Sequence, residues 1–154
     1  MDGYSTTPAP VNEPVKDYAP GSAERADLEA ALARMAGEQI ELPSTIGGEK
    51  LMGGGRPVDV VQPHARHHVL GTMSLVTPDE AKRAVDAAIE AAPAWRSLSF
   101  DDRAAIFLKA AELLAGPWRS ILNAATMLGQ SKTAYQAEID SACELIDFWR
   151  INVH

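Results

Sequence analysis

The sequence predicts a mainly helical α+β chain in which a small edge sheet is followed by a run of helices. Three observations carry this. Among 154 residues there are 26 alanines, the strongest helix formers, so 71 apolar residues include only 45 larger ones. Glycine and proline punctuate residues 40–76 between alternating apolar and polar positions, the pattern of short strands. From Thr77 onward apolar residues recur at helical spacing almost to His154. Leu, Ile, Val and Phe together number 33. Burial free energy follows apolar area, of which alanine has little. A thin core is expected, with helix faces that other surfaces must cover.

Residues 1–21 hold four of the ten prolines, Pro8, Pro10, Pro14 and Pro20. Proline fixes φ and lacks an N–H, so this segment is predicted to be an extended arm, either disordered or laid along a larger body. Residues 22–154 form the second region. A helix over 22–37 is predicted from Ser22 as N-cap and the stripe Leu28, Ala31, Leu32 and Met35, with Gly37 supplying a left-handed C-terminal turn. The small sheet spans 40–76. Ile40-Glu41-Leu42 alternates, and Thr45-Ile46 and Leu51-Met52 flank a glycine turn, Gly47-Gly48-Glu49-Lys50, a hairpin signal. Gly53-Gly54-Gly55 reads as a flexible break. Val58 to Val60 and Leu70 to Val76 complete the strands, and Pro43, Pro57 and Pro63 confine them to edges or ends. So small a sheet must pack on something.

Helices occupy 77–153. Thr77-Pro78-Asp79-Glu80 combines an N-cap threonine, proline at the first position and glutamate at the third. Ala81, Ala84, Val85, Ala88 and Ile89 then share one face, and Pro93 lies near the end. Ser99 with Asp102 starts the next helix, whose buried side is predicted as Ala105, Ile106, Leu108, Leu113 and Leu114 before Gly116-Pro117 interrupts it. A shorter helix runs from Trp118 to Leu128 and stops at Gly129. The last starts at Thr133, paired with Gln136, and buries Ala142, Leu145, Ile146 and Trp149. It meets no stop signal before His154.

Several functions are excluded or disfavoured. No run approaches the length of a membrane-spanning helix, and Met1 to Pro10 lacks the basic-then-apolar order of a secretory signal. One cysteine, Cys143, precludes an internal disulfide and suits a reducing cytoplasm. The net charge of −7 is distributed without a basic stripe, which argues against nucleic acid or anionic membranes as partners.

No complete active site emerges from the residues alone. His64, His67 and His68 cluster, but no fourth ligand completes a metal spacing, and a polar loop between edge strands is the simpler account. Cys143 lies mid-helix beside Glu144, which disfavours a thiolate. Gly53 to Gly55 lacks the Lys-Ser/Thr of a phosphate loop, and Leu128-Gly129-Gln130-Ser131-Lys132 reads as a helix break and restart. Glu138, Asp140, Glu144 and Asp147 make the last helix acidic; only Glu144 and Asp147 share a face. Trp95, Trp118 and Trp149 read as packing residues.

Longer strings go further. Thr126 to Asp140 (TMLGQSKTAYQAEID), continuing Ser141 to Arg150 (SACELIDFWR), resembles the N-terminal helices of the aldehyde dehydrogenase superfamily. Within that superfamily the string is most similar to the L-glutamate γ-semialdehyde dehydrogenase group, also called 1-pyrroline-5-carboxylate dehydrogenases. Asn12-Glu13-Pro14-Val15, Tyr18 to Ser22, Glu24-Arg25, Ile46-Gly47-Gly48, Pro63 and Leu70-Gly71 fall in matching order. The resemblance covers about Asn12 to Asn152. It implies the N-terminal part of an α/β aldehyde dehydrogenase fold. It also implies an NAD-dependent oxidation of L-glutamate γ-semialdehyde to glutamate in proline catabolism. A cysteine thiolate attacks the aldehyde, hydride passes to NAD, and a glutamate-activated water releases the product.

The family's nucleophile, general base and glycine-rich cofactor loops lie beyond the matched region, so no catalytic, cofactor-binding or metal residue is expected in this chain. The chain is expected to be an N-terminal fragment, inactive alone, that binds no NAD. The complete enzyme is expected to be a homo-oligomer acting on a small aldehyde. The helix bearing Gln136, Glu138 and Phe148 resembles the one lining the aldehyde entrance, which makes Glu138 a candidate substrate contact. The alternative is a non-catalytic helical interaction module derived from the same family.

Overall fold

The structure is a computed structural model that describes residues 6–154; the first five residues of the expected arm lie outside the described residues. In chain order the elements are α1 (Ala23–Gly37), β1 (Ile40–Glu41), β2 (Ser44–Ile46), β3 (Glu49–Leu51), β4 (Pro57–Gln62), β5 (Ala65–Ser74), α2 (Pro78–Ser97), α3 (Phe100–Ala115), α4 (Arg119–Gln130) and α5 (Ala134–Ala137). A π-helical turn, Glu138–Cys143, then leads into α6 (Glu144–Val153). The chain divides into a helical unit, residues up to Met35 with Ser99–His154, and a sheet unit, Ala36–Leu98.

In the helical unit the arm runs without regular secondary structure from residue 6 to 19. Two apolar clusters form the core. Tyr18, Leu28, Ala31 and Ala124 pack with Leu32, Met35, Met127 and Ala134. Ala111, Leu114 and Ile146 pack with Ala115, Leu122, Leu145 and Trp149. The predicted stripes of α1 and of the last helix are therefore in the core. Among the described residues six of the fourteen buried apolar ones are alanines, all in this unit, so its helices approach closely but bury little area each.

The predicted stripe of α3 is rotated. Ala104, Ala111 and Leu114 are buried, whereas Ala105, Ile106 and Leu113 are exposed. This helix is apolar on more than one side, so periodicity alone does not select the face; packing against α6 does. Helix α4 also passes through Gly129 and ends at Ser131, which takes the left-handed conformation at φ 58°. Asparagine, glycine and, less often, serine tolerate that conformation, and here the polar residue beyond the helix takes it. Trp118 is mostly exposed and is not a core residue.

In the sheet unit, β5 is central: β1 pairs with it in parallel and β4 in antiparallel fashion. The hairpin β2–β3 forms a second sheet, in register Thr45↔Lys50, across Gly47 and Gly48. Both glycines have positive φ, 59° and 87°, as a two-residue primed turn demands. Strand β5 starts five residues earlier than predicted, because a tight turn at Pro63-His64 lets Gln62 pair at once with Ala65. His67 and His68 thus lie in a strand and not in a loop. Gly37 does not turn left-handed; it is the last residue of α1. The C-terminal carbonyl of Ala36 is instead satisfied by His68, whose Nε2–H donates across 2.7 Å.

The glycine run is a built loop. Gly54 N–H donates to both carboxylate oxygens of Glu80 at 3.1 Å, and Gly55 N–H to the Leu75 carbonyl at 2.9 Å. Glu80 also completes the predicted capping box with Thr77. Helix α2 continues for four residues past Pro93. It buries no residue in the described structure, and Val85 and Ile89 are 57% and 65% exposed. On so open a helix, solvent reaches the carbonyl that proline leaves unbonded.

Candidate functional site

Three of the four largest fully buried side chains are polar: Arg119, Glu138 and Asn123. Arg119 opens α4, and Asn123 stands one turn later on the same face. Glu138 opens the π-helical turn. Tyr18 comes from the arm, where it holds a left-handed φ of 53°. That conformation is uncommon for a bulky residue and persists where surrounding contacts enforce it.

The Glu138 carboxylate is surrounded by donors. Its Oε1 accepts from Arg119 Nη2, from the Lys16 N–H at 2.8 Å and from the Cys143 thiol at 3.7 Å. Its Oε2 accepts from the Tyr18 hydroxyl at 2.7 Å, Asn123 Nδ2 at 2.8 Å and Arg119 Nε at 3.2 Å. Arg119 also donates to Glu13, to the Pro14 carbonyl at 2.7 Å and to Cys143 Sγ at 3.3 Å. Glu13 is held a second time by Arg150 Nη1 at 2.9 Å, and its N–H donates to Asp147 at 2.7 Å. Asn123 Oδ1 is buried without a hydrogen-bond partner.

The charges respond accordingly. Burial opposes ionisation of Glu138, but donation from Arg119, the Lys16 N–H, Tyr18 and Asn123 outweighs it and holds the carboxyl down at about 2. Burial also opposes the charge on Arg119, but Glu138 and Glu13 raise its pKa above the ordinary value. Burial and the adjacent Glu138 raise Tyr18. Burial, then the negative Glu138, pushes the Cys143 thiol up to about 11. Cys143 is thus a buried neutral thiol near neutral pH and not an activated nucleophile.

A carboxylate offers about four lone-pair sites, and those of Glu138 are committed to this chain's own donors. The structure therefore places Glu138 as an interior anchor of the arm, with no face left open to a substrate. Other sequence candidates do not converge on it. Among the described residues no three His, Cys, Asp or Glu side chains gather in a metal-binding arrangement. The Gly53–Gly55 loop turns the Gly54 and Gly55 amides onto Glu80 and Leu75, so it is not a phosphate cradle. Lys132 pairs with Asp140 at 2.7 Å, and Thr133 caps the short α5 with Gln136. Asp147 binds the Glu13 N–H rather than serving with Glu144 as an acid–base pair. Sequence reasoning missed Arg119, Tyr18, Asn123 and Glu13 as a group. They stand 15 to 134 positions from their partners, and no spacing rule links such residues. An arginine at the opening of an apolar helix is the one local hint.

Known proteins match the chain along its length. A sequence profile described as the aldehyde dehydrogenase family matches residues 51–153. The delta-1-pyrroline-5-carboxylate dehydrogenase of Agaricus bisporus is 46% identical over 144 residues, 92% of this chain and 26% of that protein. The mitochondrial delta-1-pyrroline-5-carboxylate dehydrogenase of Dictyostelium discoideum is 40% identical over 146 residues, 95% of this chain and 26% of that protein. The crystal structure of the Mycobacterium tuberculosis delta-pyrroline-5-carboxylate dehydrogenase bound with NAD superposes with a TM-score of 0.96. It is 57% identical and covers 99% of this chain, which spans 29% of it. The chain spans about a quarter of the length of the curated relatives it matches.

Proposed function

Because this chain belongs to the aldehyde dehydrogenase family, we propose that it serves as the N-terminal part of an NAD-dependent dehydrogenase oxidising L-glutamate γ-semialdehyde to glutamate. The observation that carries this reading is 57% identity with a TM-score of 0.96 to the mycobacterial pyrroline-5-carboxylate dehydrogenase across 99% of the chain. In this reading the chain supplies scaffold and not chemistry. Its only thiol is buried and neutral, and its glycine loop is engaged with Glu80 and Leu75. In this reading NAD binding and catalysis belong to the part of the dehydrogenase fold that this chain, spanning 29% of the mycobacterial structure, does not cover. The exposed Phe148 and Gln136 line the aldehyde entrance, and Glu138 acts as a positioning residue that holds their helix. The complete enzyme is a homo-oligomer, and the free thiol suits a reducing compartment such as the cytoplasm.

The test is an assay of the 154-residue chain with 1-pyrroline-5-carboxylate and NAD. No NADH formation is expected from the chain alone, and formation is expected once the reading frame after His154 supplies the nucleophile. Turnover by the 154 residues themselves would overturn the division of labour. The open stripe of α2 also suits the alternative of a non-catalytic interaction module. Absence of any downstream frame encoding the nucleophile, with a stable folded chain in cells, would favour that reading.

A further inference from the structure

The arm is held in an unusual way for a segment without a backbone ladder. Its apolar residues Val11 and Val15 are 73% and 51% exposed, so hydrophobic burial fixes it only at its end, where Tyr18 packs with Leu28, Ala31 and Ala124. Its other attachments are polar, and nearly all converge on Arg119, Glu138, Asp147 and Arg150. Asn12, Glu13 and Val15 face Ile139, Cys143 and Asp147 across a cleft of about 490 Å³. Cys143, 5% exposed, lies in the wall of a cleft that the arm borders.

The same contacts bear on the π-helical turn. Glu138 and Cys143 are five residues apart, and both meet Arg119 Nη2. In an α-helix, at about 100° per residue, such a pair points roughly 140° apart. In a π turn the i→i+5 bond stacks the two, and here the Glu144 N–H donates to the Ile139 carbonyl. Arg119 in turn is oriented by Glu13 and Pro14, and Glu138 by the Lys16 N–H and Tyr18. Arm and turn share one set of bonds.

We infer that the arm segment from Val11 to Tyr18 is a strap that opens as a unit over Cys143, and that its closure holds Glu138–Cys143 in π register. When the strap opens, Glu138 loses two of its donors and Arg119 loses two of its acceptors. The turn then passes to α register. Helix α6 stays in place, because Ile146 is fully buried among Ala111 and Leu114. The one-residue offset falls on α5 instead.

Cys143 is the only cysteine, so a thiol reagent reports on the strap without any added probe. The experiment measures the labelling rate of the full chain by Ellman's reagent across a urea series. A low-urea plateau nearly independent of urea is expected, followed by a steep limb due to global unfolding. Tyr18→Phe should raise the plateau about tenfold, the equivalent of one buried hydrogen bond, and raise the steep limb by the same factor, because that bond is absent from the strap-open and the unfolded states alike. Glu49→Gln, in the sheet unit, should move neither. Hydrogen exchange of the Tyr18→Phe chain should quicken at the Glu144 N–H while the Ile146–Val153 amides stay protected. A labelling rate that is steep at all urea concentrations would overturn the strap, as would a parent chain reacting like a free thiol. A steep limb accelerated by Tyr18→Phe with the plateau unmoved would also do so. An unchanged Glu144 amide in a variant with a raised plateau would overturn the link to π register.

Discussion

In the helical unit, Arg119, Glu138 and Asn123 are enclosed and bonded to residues far away in the chain. In the sheet unit, the charged group that organises most is Glu80, which is half-buried and binds the amides of Thr77 and Gly54 beside it. Both are carboxylates held by N–H donors, and both have lowered pKa values. They differ in what their loss costs. A half-exposed capping carboxylate can exchange its donors for water. A buried one leaves an arginine and a ring of donors with nothing to bind, and the low-dielectric interior makes each orphan expensive.

The sharpest way to break this contrast is Arg119→Met. It leaves Glu13 and Glu138 without their cation, and the expected loss is about 3–5 kcal/mol in a urea unfolding experiment. A change under 1 kcal/mol, on the order of an exposed pair's worth, would place the two units on the same footing. Acid titration comes next. The folded Glu138 carboxyl, at about 2, lies below its unfolded value of roughly 4.3. Its contribution is therefore fully present above the unfolded value and is lost as pH falls toward about 2. The size is on the order of 3 kcal/mol. Thermal midpoints of the parent chain should fall across that window, and Glu138→Gln should flatten the fall. A parallel pH profile in the variant would show that other carboxylates dominate.

Smaller effects belong to the sheet unit. Thr77→Ala removes the N-cap of α2 and should cost about 1 kcal/mol, read as faster hydrogen exchange in its first turn. Ile89→Gln, on the open face of α2, should shift stability by less than about 0.5 kcal/mol. A loss of several times that size would mean that this face is covered in the folded protein.

Helix starts were legible because their signals are local. Thr77 with Glu80, Ser99 with Asp102 and Thr133 with Gln136 each cap as their three-residue spacing predicts. The hairpin was legible for the same reason, though its turn is the two-residue Gly47-Gly48 and not Gly47 to Lys50, since Glu49 and Lys50 pair with Ile46 and Thr45. Helix ends were less so. Gly37 ends α1 as its signal predicts, though without a left-handed turn and with His68 bonding the Ala36 carbonyl, whereas Gly129 lies inside α4, which Ser131 ends. A stop is decided by whichever group satisfies the last carbonyls, and that group can come from elsewhere in the chain.

The sequence by itself determined the mainly helical composition, the capped starts, the glycine turn and, through its long matching strings, the aldehyde dehydrogenase family. Tertiary structure alone decided which side of α3 is buried, since Ile106 and Ala111 are both apolar and only one faces α6. It also decided that Glu138, in an acidic stretch that reads as a solvated face, lies fully enclosed. A charge can be buried only where a cation and several donors meet it together. Here those groups come from the arm, from α4 and from one π turn, and their meeting is a property of the fold, not of any local spacing.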